Sequence, residues 1–406
     1  MGFIPRSFLK GAWSVARWGY LAGIGALVVV AFGVQMVRPV GAARVRTVIE
    51  PPTMASSLHM AWPSGAESYL AVSPVGKVGQ AGPDQAIPIG SVTKMMTAYL
   101  LLKKYPLSVY SSGPSVTITA KDVQEYQQDI KTQQSVAMVT LGEKISERKL
   151  LEGLLVASGN NIAHIVARWV AGSTPAFTRE MNQEAQAMGM THTHFVGPSG
   201  LNPGNVSTPK DETLFAEQAM TIPVFREIVA MPQISWPGGN QPIENYNYLV
   251  GHDGITGVKT GSTLYAGGCF VFSAPRTVDG QPVTIYGAVL GQQGTQSIPQ
   301  LQRSLDDGES LINQIAAQLR VDSIVHKGET VAQVDVPWGH SVSLVADKSL
   351  SAVVWPGLAV HESLHWSGGP DGVLDVNDGR QHWTIPVSLT APVPKPSLIW
   401  RLKRGL

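Results

Sequence analysis

Apolar residues recur at helical spacing in several stretches of the chain and alternate with polar residues in others. One helical stretch starts near Ser91, and the others occupy residues 148–156, 161–170, 176–188 and 298–319. The strand-like stretches occupy residues 67–72, 115–119, 269–272 and 283–290. Asp279-Gly280 lies between the last two strands, which predicts an antiparallel hairpin. The pattern therefore predicts an α+β fold.

The pattern changes after about Val321, where short alternating segments are punctuated by turn residues. These segments occupy residues 331–336, 341–345, 352–355 and 383–389. We expect a separate small all-β domain at 321–390, after a larger domain at 66–320. The tail at 391–406 mixes apolar and basic residues, which is compatible with a helix on an anionic membrane surface, a terminal strand or a packed tail.

The chain begins with basic residues followed by a long apolar run. The run extends from Trp18 to Val37, is broken only by Gln35, and is closed by Arg38. This pattern predicts an export signal or a membrane anchor at 1–46, with a linker at 47–65. Val40-Gly41-Ala42 resembles a cleavage site, but we slightly favour a retained anchor. Either way, the bulk of the chain is expected outside the cytoplasm, at the cell membrane or in the cell envelope.

Composition excludes several classes of function. The 406 residues carry a net charge of +1, which argues against a strongly basic nucleic-acid surface. The 42 glycines and 28 prolines indicate a turn-rich chain. A single cysteine, Cys269, excludes an intrachain disulfide and a cysteine-based zinc site.

Ser91 and Lys94 are the first candidate catalytic pair. They stand three residues apart at the start of an apolar helix, so their side chains share one face of its first turn. A serine hydroxyl needs a neighbouring base to become a nucleophile. Lysine serves as that base only if burial, the helix N-terminus or a second cation lowers its pKa. The alternative is an N-cap serine beside a solvated lysine, since this spacing alone arises by chance.

Two further motifs favour the catalytic interpretation of Ser91 and Lys94. Ser158-Gly159-Asn160 falls between two predicted helices, and Lys259-Thr260-Gly261 opens a predicted strand. Together with Ser91-Val92-Thr93-Lys94, and in this order, they resemble the active-site motifs of penicillin-binding proteins and serine β-lactamases. The finer similarity, over about 66–350, is to the D-alanyl-D-alanine carboxypeptidases of serine peptidase family S11. That resemblance implies a transpeptidase-like domain, with an antiparallel sheet flanked by helices, and a following β domain.

The resemblance also implies roles for the matching residues. Ser91 would be the acylated nucleophile, Lys94 its base, and Ser158 a proton relay to the leaving amine. Asn160 would hold the substrate amide and Lys94. Lys259 would keep the cleft positive and attract the terminal carboxylate. Thr260 and Gly261 would belong to the strand that pairs with the substrate backbone. The oxyanion hole would consist of the backbone amides of Ser91 and of Ser262 or Thr263.

Three positions depart from the family pattern or cannot be matched to it. Asn161 stands where many relatives carry an acidic residue, and Ser262 where many carry an aromatic residue or histidine. Arg303 is a candidate for binding the substrate carboxylate, although a surface arginine is the better interpretation. These positions bear on substrate preference and rate, and not on the class of reaction.

Other reactive side chains are assigned to structure. His192 and His194 have no cysteine or acidic cluster in their vicinity, so we predict no metal site there. Cys269 lies among apolar residues and is expected in the core. Tyr246 and Tyr248 could line a sugar-binding groove, but packed loop aromatics are the better interpretation. No cofactor is implied.

The sequence therefore predicts an exported serine peptidase that removes the terminal D-alanine from peptidoglycan pentapeptides and is acylated by β-lactams. The N-terminal segment would connect it to the membrane, and no nucleic acid would bind. Two alternatives stay open: a serine β-lactamase, which needs a carboxylate to activate water, and a non-catalytic wall-binding or sensor protein of the same fold.

Overall fold

The computed structural model describes residues 6–49 and 57–404. Its helices are α1 Arg6–Val37, α2 Lys94–Lys104, α3 Ala120–Lys131, α4 Glu147–Leu155, α5 Asn160–Ala171, α6 Thr174–Ala187, α7 Pro209–Ala219, α8 Pro223–Val229, α9 Ser297–Ala316 and α10 Leu398–Lys403. Short 3-10 turns occupy Gly90–Thr93 and His252–Gly254.

The strands of the larger domain are β2 Glu67–Ser73, β3 Gly76–Ala81, β4 Ile87–Pro88, β5 Ser115–Thr117, β6 Lys144–Ser146, β7 Val206–Ser207, β8 Gln233–Ile234, β9 Ile243–Glu244, β10 Gly257–Thr263, β11 Gly267–Val278 and β12 Gln281–Gln292. Those associated with the smaller domain are β1 Arg44–Thr47, β13 Arg320–Val325, β14 Thr330–Asp335, β15 Val342–Ala346, β16 Leu350–Val354, β17 His361–His365, β18 Asp371–Asn377 and β19 His382–Leu389.

A five-stranded antiparallel sheet, in the order β10-β11-β12-β2-β3, forms the centre of the larger domain. The predicted hairpin is confirmed, because β11 pairs with β12. Both faces of the sheet are covered: Phe270 and Phe272 pack in one core with α9, and Val271 lies in the other with Phe215 of α7. Successive strand residues point to opposite faces, so burial of both faces explains the continuous apolar run from Cys269 to Phe272. The α+β fold is confirmed.

Helix α2 is the buried helix that the pattern after Ser91 predicts. Met95, Met96 and Leu101 have almost no exposed surface, and α2 packs against α4, α5 and α6. The other predicted helices correspond to α4, α5, α6 and α9, with ends displaced by a few residues. Burial on several sides fixes the position of the Ser91–Lys94 turn relative to the sheet.

The smaller domain is all β, as predicted. Its main sheet has the order β1-β14-β15-β19-β18-β17, and β13 pairs with β16 beside it. A separate apolar core includes Val331, Leu344, Leu374 and Ile385.

The boundary predicted between the leader and the linker falls inside a strand. Arg44–Thr47 pairs with β14 of the smaller domain, and the backbone amides of Val48 and Ile49 both donate to Val331 O. Ile49 is buried in the same domain's core. Residues 44–49 therefore belong to the smaller domain, and the remaining linker prediction falls partly on 50–56, outside the described residues. All four residues of Arg44–Thr47 are exposed, and the strand is too short for its sequence to have revealed this pairing.

Several elements were not predicted, among them α3, α7, α8, β3, β17 and β18. Helix α3 is mostly polar, and a capping box between Thr119 and Asp122 stabilises its first turn. Thr208 caps α7, with Pro209 at its first position. These helices are specified more by their ends than by apolar periodicity.

Within helix α1, the 21 residues Arg17–Val37 form an apolar stretch with a mean hydropathy of 2.1, and none of it is buried in the protein. By length and composition it is able to cross a membrane, and a signal sequence has the same properties. The tail forms α10, which packs against the end of α1.

Candidate active site

The turn that carries Ser91 places its hydroxyl next to the amine of Lys94. The two residues lie at the junction of the Gly90–Thr93 3-10 turn and α2. Residues i and i+3 are eclipsed in a 3-10 turn, so both side chains project from the same side. Lys94 Nζ lies 2.8 Å from Ser91 Oγ. The predicted pair is in hydrogen-bond contact.

Lys94 is completely buried, with 0% of its surface exposed. Its Nζ also lies 2.7 Å from Asn160 Oδ1 and 2.6 Å from the carbonyl oxygen of Ser199. A neutral amine has two N–H donors and one lone pair. Donation to these two oxygens satisfies both N–H groups and leaves the lone pair directed at the Ser91 hydroxyl. The arrangement therefore suits an uncharged base.

Electrostatics favour the same protonation state. Burial, followed by the charge of Lys259, lowers the pKa of Lys94 well below its ordinary value, and Asp129 opposes this only in part. Burial also lowers the pKa of Lys259 to about 7. Burial thus favours the neutral form of both amines, and the charge of Lys259 adds to this effect at Lys94.

Ser158 and Lys259 form a second contact on the opposite side of the site. Ser158 adopts a left-handed backbone conformation, with φ of +56°, in the loop between α4 and α5. Lys259 Nζ, on β10, donates to Ser158 Oγ at 3.0 Å and to Thr260 O at 3.0 Å. Only 2% of the Lys259 surface is exposed. The second and third motifs therefore meet through this pair.

Asn160, the first residue of α5, connects Lys94 to a residue that the sequence analysis missed. Its side-chain nitrogen donates to Gln134 Oε1 at 2.7 Å, while its oxygen accepts from Lys94. The backbone amide of Asn160 donates to Ser135 O. Gln134 thereby fixes which end of the Asn160 amide faces the lysine. It lies in a polar run after an unpredicted helix, and no motif in the sequence marks it.

Gly261 brings the edge strand against the nucleophile turn. A Cβ atom at this position would lie 2.6 Å from Ile89 O and 3.0 Å from Ser91 N. These distances are too short for any side chain, which supports the expectation of a close approach here. Since β10 is the terminal strand of the sheet, its outer edge is unpaired in the sheet and faces the nucleophile.

The side chains of Ser262 and Thr263 make hydrogen bonds to other groups of the protein. Ser262 Oγ donates to Ser297 O at 2.7 Å and accepts from Gln300 Nε2 at 3.0 Å. Thr263 Oγ1 accepts from the amide of Ala266, and Gln300 Nε2 also donates to Thr263 O. These bonds fix the end of β10 to α9. What these two residues can offer a substrate is therefore mainly their backbone groups.

All three motifs open onto one cleft of about 600 Å³. Its floor contains Ser91, Ser158, Asn160 and Thr260 to Thr263. Its rim carries the exposed apolar residues Leu201, Leu264, Tyr265 and Ile298, together with Tyr246. Among the described residues that line it there is no aspartate, glutamate or arginine. The cleft is thus uncharged at its surface, with two lysines beneath it.

Several candidates lie apart from this cleft. Arg303 is exposed and donates to Gln293 O at 2.9 Å, as expected for a surface arginine. The Asn161 amide bonds both backbone groups of Ala137, so it supports a neighbouring loop. Cys269 is buried in the core, and burial raises the pKa of its thiol to about 12.

The remaining candidates are the two histidines and the two tyrosines. Across residues 6–49 and 57–404, no group of three or more metal-binding side chains occurs, at His192 and His194 or elsewhere. Tyr246 lines the cleft, where Ser135 Oγ lies 3.3 Å from its hydroxyl. Tyr248 instead lies 3.4 Å from Asp306 through its hydroxyl.

Comparison with known proteins identifies similar sequences. Residues 65–293 match the D-alanyl-D-alanine carboxypeptidase family. A D-alanyl-D-alanine endopeptidase of Pseudomonas aeruginosa is 32% identical over 211 residues, which cover 50% of this chain and 64% of that protein. A D-alanyl-D-alanine carboxypeptidase of Streptomyces sp. K15 is 33% identical over 226 residues, 52% of this chain and 73% of that protein. The chain thus spans slightly less than two thirds of the endopeptidase.

The structural comparison extends further along the chain. A D-alanyl-D-alanine carboxypeptidase from Francisella tularensis superposes with a TM-score of 0.61 at 22% identity, covering 86% of this chain and 97% of that one. This share is too large to fall within 65–293 alone, so the likeness includes part of the smaller β domain. At this identity the superposition supports the fold only.

Proposed function

This chain is a member of the D-alanyl-D-alanine carboxypeptidase family, and from that membership we propose that it is an exported serine-type carboxypeptidase. Its substrate would be the peptidoglycan pentapeptide, from which it would release the terminal D-alanine through an acyl-enzyme. β-Lactams would acylate the same serine. The observation that carries the proposal is the 2.8 Å contact between Ser91 Oγ and a fully buried Lys94 amine.

In the first step, Lys94 Nζ takes the proton of Ser91 as Oγ attacks the carbonyl carbon of the penultimate D-alanine. The lone pair of the neutral amine faces that hydroxyl, so no rearrangement is needed. The oxygen of the tetrahedral intermediate would be stabilised by the backbone amides of Ser91 and Ser262. Donors of this kind typically contribute about 3–4 kcal/mol each.

In the second step, the bond to the terminal D-alanine breaks and its nitrogen takes a proton from Ser158 Oγ. Lys259 donates to that same hydroxyl and so can resupply the proton. The proton that Lys94 took from Ser91 then passes through solvent to the neutral Lys259, so both amines regain their starting states. Water attacks the ester on Ser91 as neutral Lys94 takes a proton from it, and Lys94 gives that proton to Ser91 Oγ when the acyl C–O bond breaks. The products are D-alanine and the shortened peptide.

The substrate backbone would pair with the free edge of β10. A strand added to a sheet edge gains main-chain hydrogen bonds, while its alternate side chains point away from the sheet. The positive charge of Lys259 beneath the strand would attract the terminal carboxylate. The apolar rim would contact the aliphatic parts of the peptide.

The β-lactamase alternative lacks its required group. Among the first four acidic residues after Asn160, Glu180 is exposed, Glu184 pairs with Lys103, and Asp211 accepts from the amide of His192 and from Thr193. Glu212 is buried, which raises the pKa of its carboxyl to about 8. None of these residues lines the cleft among the positions described. A long-lived penicillin adduct is therefore expected.

Intact mass spectrometry after incubation with benzylpenicillin tests the proposal on the full chain. We expect a stable adduct of the whole drug mass, its loss in Ser91→Ala, and D-alanine release from a pentapeptide by the wild type. Rapid turnover of penicillin would indicate a β-lactamase. Neither an adduct nor D-alanine release would indicate a non-catalytic protein.

An endopeptidase is the second candidate. The observation that favours it is the lack of an arginine among the described cleft residues, since a carboxypeptidase must recognise a free terminal carboxylate. The similar Pseudomonas protein carries the endopeptidase name. Comparing kcat/KM for a pentapeptide with that for a cross-linked peptide dimer decides between the two. A higher value for the dimer would assign the endopeptidase role.

A further inference from the structure

The two ends of the active-site cleft are bounded differently. At the last residues of β10, the exposed side chains of Leu264 and Tyr265 form part of an open rim. At the first residue of β10, a Cβ atom on Gly257 would lie 2.7 Å from the side chain of Val229. The segment that follows Val229, residues 231–247, therefore begins at this second end of the cleft.

The segment 231–247 packs against the loop 132–138, which borders the cleft from the side of α5. Trp236 Nε1 donates to Met138 O at 2.7 Å, and only 5% of the Trp236 surface is exposed. Gly238 lies against the same methionine, since a Cβ atom there would lie 2.1 Å from the end of its side chain. A buried tryptophan with a satisfied N–H is a firm contact. The two segments thus close this end of the cleft.

Ser135 and Tyr246 form the part of this closure that faces the cleft. Ser135 Oγ lies 3.3 Å from the Tyr246 hydroxyl, and both residues line the cleft. Tyr246 is 40% exposed. Exposed hydroxyls exchange a bond to each other for bonds to water at little cost in free energy. The pair, called the gate below, can therefore separate without disturbing the core.

The backbone on the tyrosine side of the gate is held in place. Asn245 Nδ2 donates to Met231 O at 2.9 Å, and Asn245 Oδ1 accepts from the amide of Asn247 at 2.9 Å. Asn247 is 2% exposed, and its Oδ1 accepts from the amide of Leu249 at 3.3 Å. Tyr246 lies between these two anchored asparagines, so its side chain is the part that is free to move.

The backbone on the serine side is held as well. The carbonyl oxygen of Ser135 accepts from the amide of Asn160 at 2.8 Å. Two residues further on, the Asn161 side chain bonds both backbone groups of Ala137. Since the two backbones are fixed, the width of the gate depends on the rotamer of Tyr246.

The gate lies on the side of the leaving group. In the proposed reaction, the terminal D-alanine is released at Ser158 with its carboxylate towards Lys259, and these two side chains are in contact near the start of β10. D-alanine adds only a methyl group and a carboxylate, which fit in front of the gate. In a cross-linked peptide, the leaving amine carries a second stem peptide, which has to pass between Ser135 and Tyr246.

We propose that Tyr246 is a specificity-determining residue, which together with Ser135 closes the cleft to leaving groups larger than one amino acid. The gate restricts the enzyme to peptides with a free terminal D-alanine and excludes cross-linked ones. Exclusion by size needs no arginine, which is lacking among the described residues of the cleft. The inference rests on the proposed carboxypeptidase function and deepens it, because it assigns the choice of leaving group to a residue.

Steady-state kinetics of the full chain test the gate with two substrates, a pentapeptide and a cross-linked peptide dimer. In Tyr246→Ala, we expect the ratio of kcat/KM for the dimer to that for the pentapeptide to rise about tenfold, because the ring no longer blocks the second stem. Tyr246→Phe and Ser135→Ala keep the ring and lose the hydrogen bond, so each should give a smaller rise. Both substrates are measured on the same sample, so the fraction of active protein cancels from the ratio.

Tyr248→Ala is the matched control. Its side chain is 49% exposed and lies near Asp306, outside the lining of the cleft, so the ratio should keep its wild-type value. A wild-type ratio in folded Tyr246→Ala protein would overturn the inference. An equal rise in Tyr248→Ala would overturn it as well, since the effect would then not depend on the gate.

The wild type alone tests the proposed function, and the variants relative to the wild type test the gate. If the wild type releases D-alanine and Tyr246→Ala keeps the wild-type ratio, only the inference fails. If the wild type cleaves neither peptide, or prefers the dimer, the carboxypeptidase proposal fails and the gate with it. Fluorescent-penicillin labelling and the melting temperature of each variant show that Ser91 stays reactive and that the chain is folded.

Discussion

Lys94 Nζ lies 2.8 Å from Ser91 Oγ, and no part of Lys94 is exposed to solvent. An ammonium in this position would have lost its hydration, which is why burial is the largest cause of the lowered pKa of Lys94. The positive charge of Lys259 is the second cause. Lys259, which would attract the substrate carboxylate, thus also helps to keep Lys94 uncharged.

The pH dependence of acylation should reveal this coupling. Lys94 accepts a proton only when it is neutral, so the rate should rise with pH through its lowered pKa, well before the usual lysine range. Lys259→Gln removes the second cation and should move this rise to higher pH, because the pKa of Lys94 goes up. Glutamine still offers a donor to Ser158. Penicillin acylation rates measured by stopped flow from acid to alkaline pH check both expectations.

Lys144→Gln, at an exposed position outside the cleft, is the matched control and should leave the rise where it is. An unchanged profile in Lys259→Gln would refute the electrostatic role of Lys259. A wild-type rise confined to the ordinary range of lysine would refute the neutral base.

The sequence was sufficient to predict the motif residues, but it did not predict the residues and hydrogen bonds that orient them. Ser91, Lys94, Ser158, Asn160 and Lys259 were all predicted, because their spacing and order are themselves the signal, and the structure brings them together. No sequence pattern predicts that Gln134 holds the Asn160 amide, or that the Ser262 hydroxyl is hydrogen-bonded to Ser297 and Gln300. These hydrogen bonds depend on which loop and helix lie beside the cleft, and that is a tertiary property.

The same distinction applies to the fold. Amphipathic helices such as α5 and apolar strands such as β11 were predicted, since their burial is encoded in periodicity. Strand β1 was not, because its partner β14 lies almost 300 positions along the chain and its own side chains are exposed. Helix α3 was missed because its stability derives from its cap and from partners on other elements.

Gln134→Ala should slow acylation about fivefold, which corresponds to roughly 1 kcal/mol for one lost hydrogen bond that orients Asn160. Without its partner, the Asn160 amide is free to turn and offer its NH2 group to Lys94. Stability should hardly change, since Gln134 lies in the open cleft. The acylation rate and the melting temperature are measured together, with Gln128→Ala on α3 as the control.

A merely structural Gln134 would lower the melting temperature and leave the rate per folded molecule intact. Gln134→Glu offers a second test. It keeps an acceptor for the Asn160 amide and should retain more of the rate than alanine does.

Gly261→Ala should reduce acylation by about a hundredfold, because the new methyl group would displace the nucleophile turn from β10. Its Cβ would lie 2.6 Å from Ile89 O, and its three nearest atoms all belong to the backbone of residues 89–92, which leaves little room for relaxation. Gly197→Ala is the control, since nothing lies within 4 Å of its Cβ position. Near-normal acylation in folded Gly261→Ala protein would show that the close approach is not required.

Glu147 gives a prediction about stability that is independent of the site. Its carboxyl is buried in the first turn of α4, and neither oxygen has a hydrogen-bond partner among the described residues. Burial raises its pKa from 4.5 to about 7. The folded state therefore binds more protons than the unfolded state between these two values, so this group's contribution to stability falls as pH rises through that window.

The total change is on the order of 3 kcal/mol, reached above about pH 7. Glu147→Gln is uncharged at every pH, so the stability of this variant minus that of the wild type should increase by about this amount across the window. The free energy of burying the uncharged amide is the same at every pH, so it does not contribute to the change of this difference with pH. Urea unfolding monitored in the larger domain from pH 4.5 to 8 measures it, with the exposed Glu180→Gln as the control. A pH-independent difference would mean that water or a structural shift already satisfies the carboxylate.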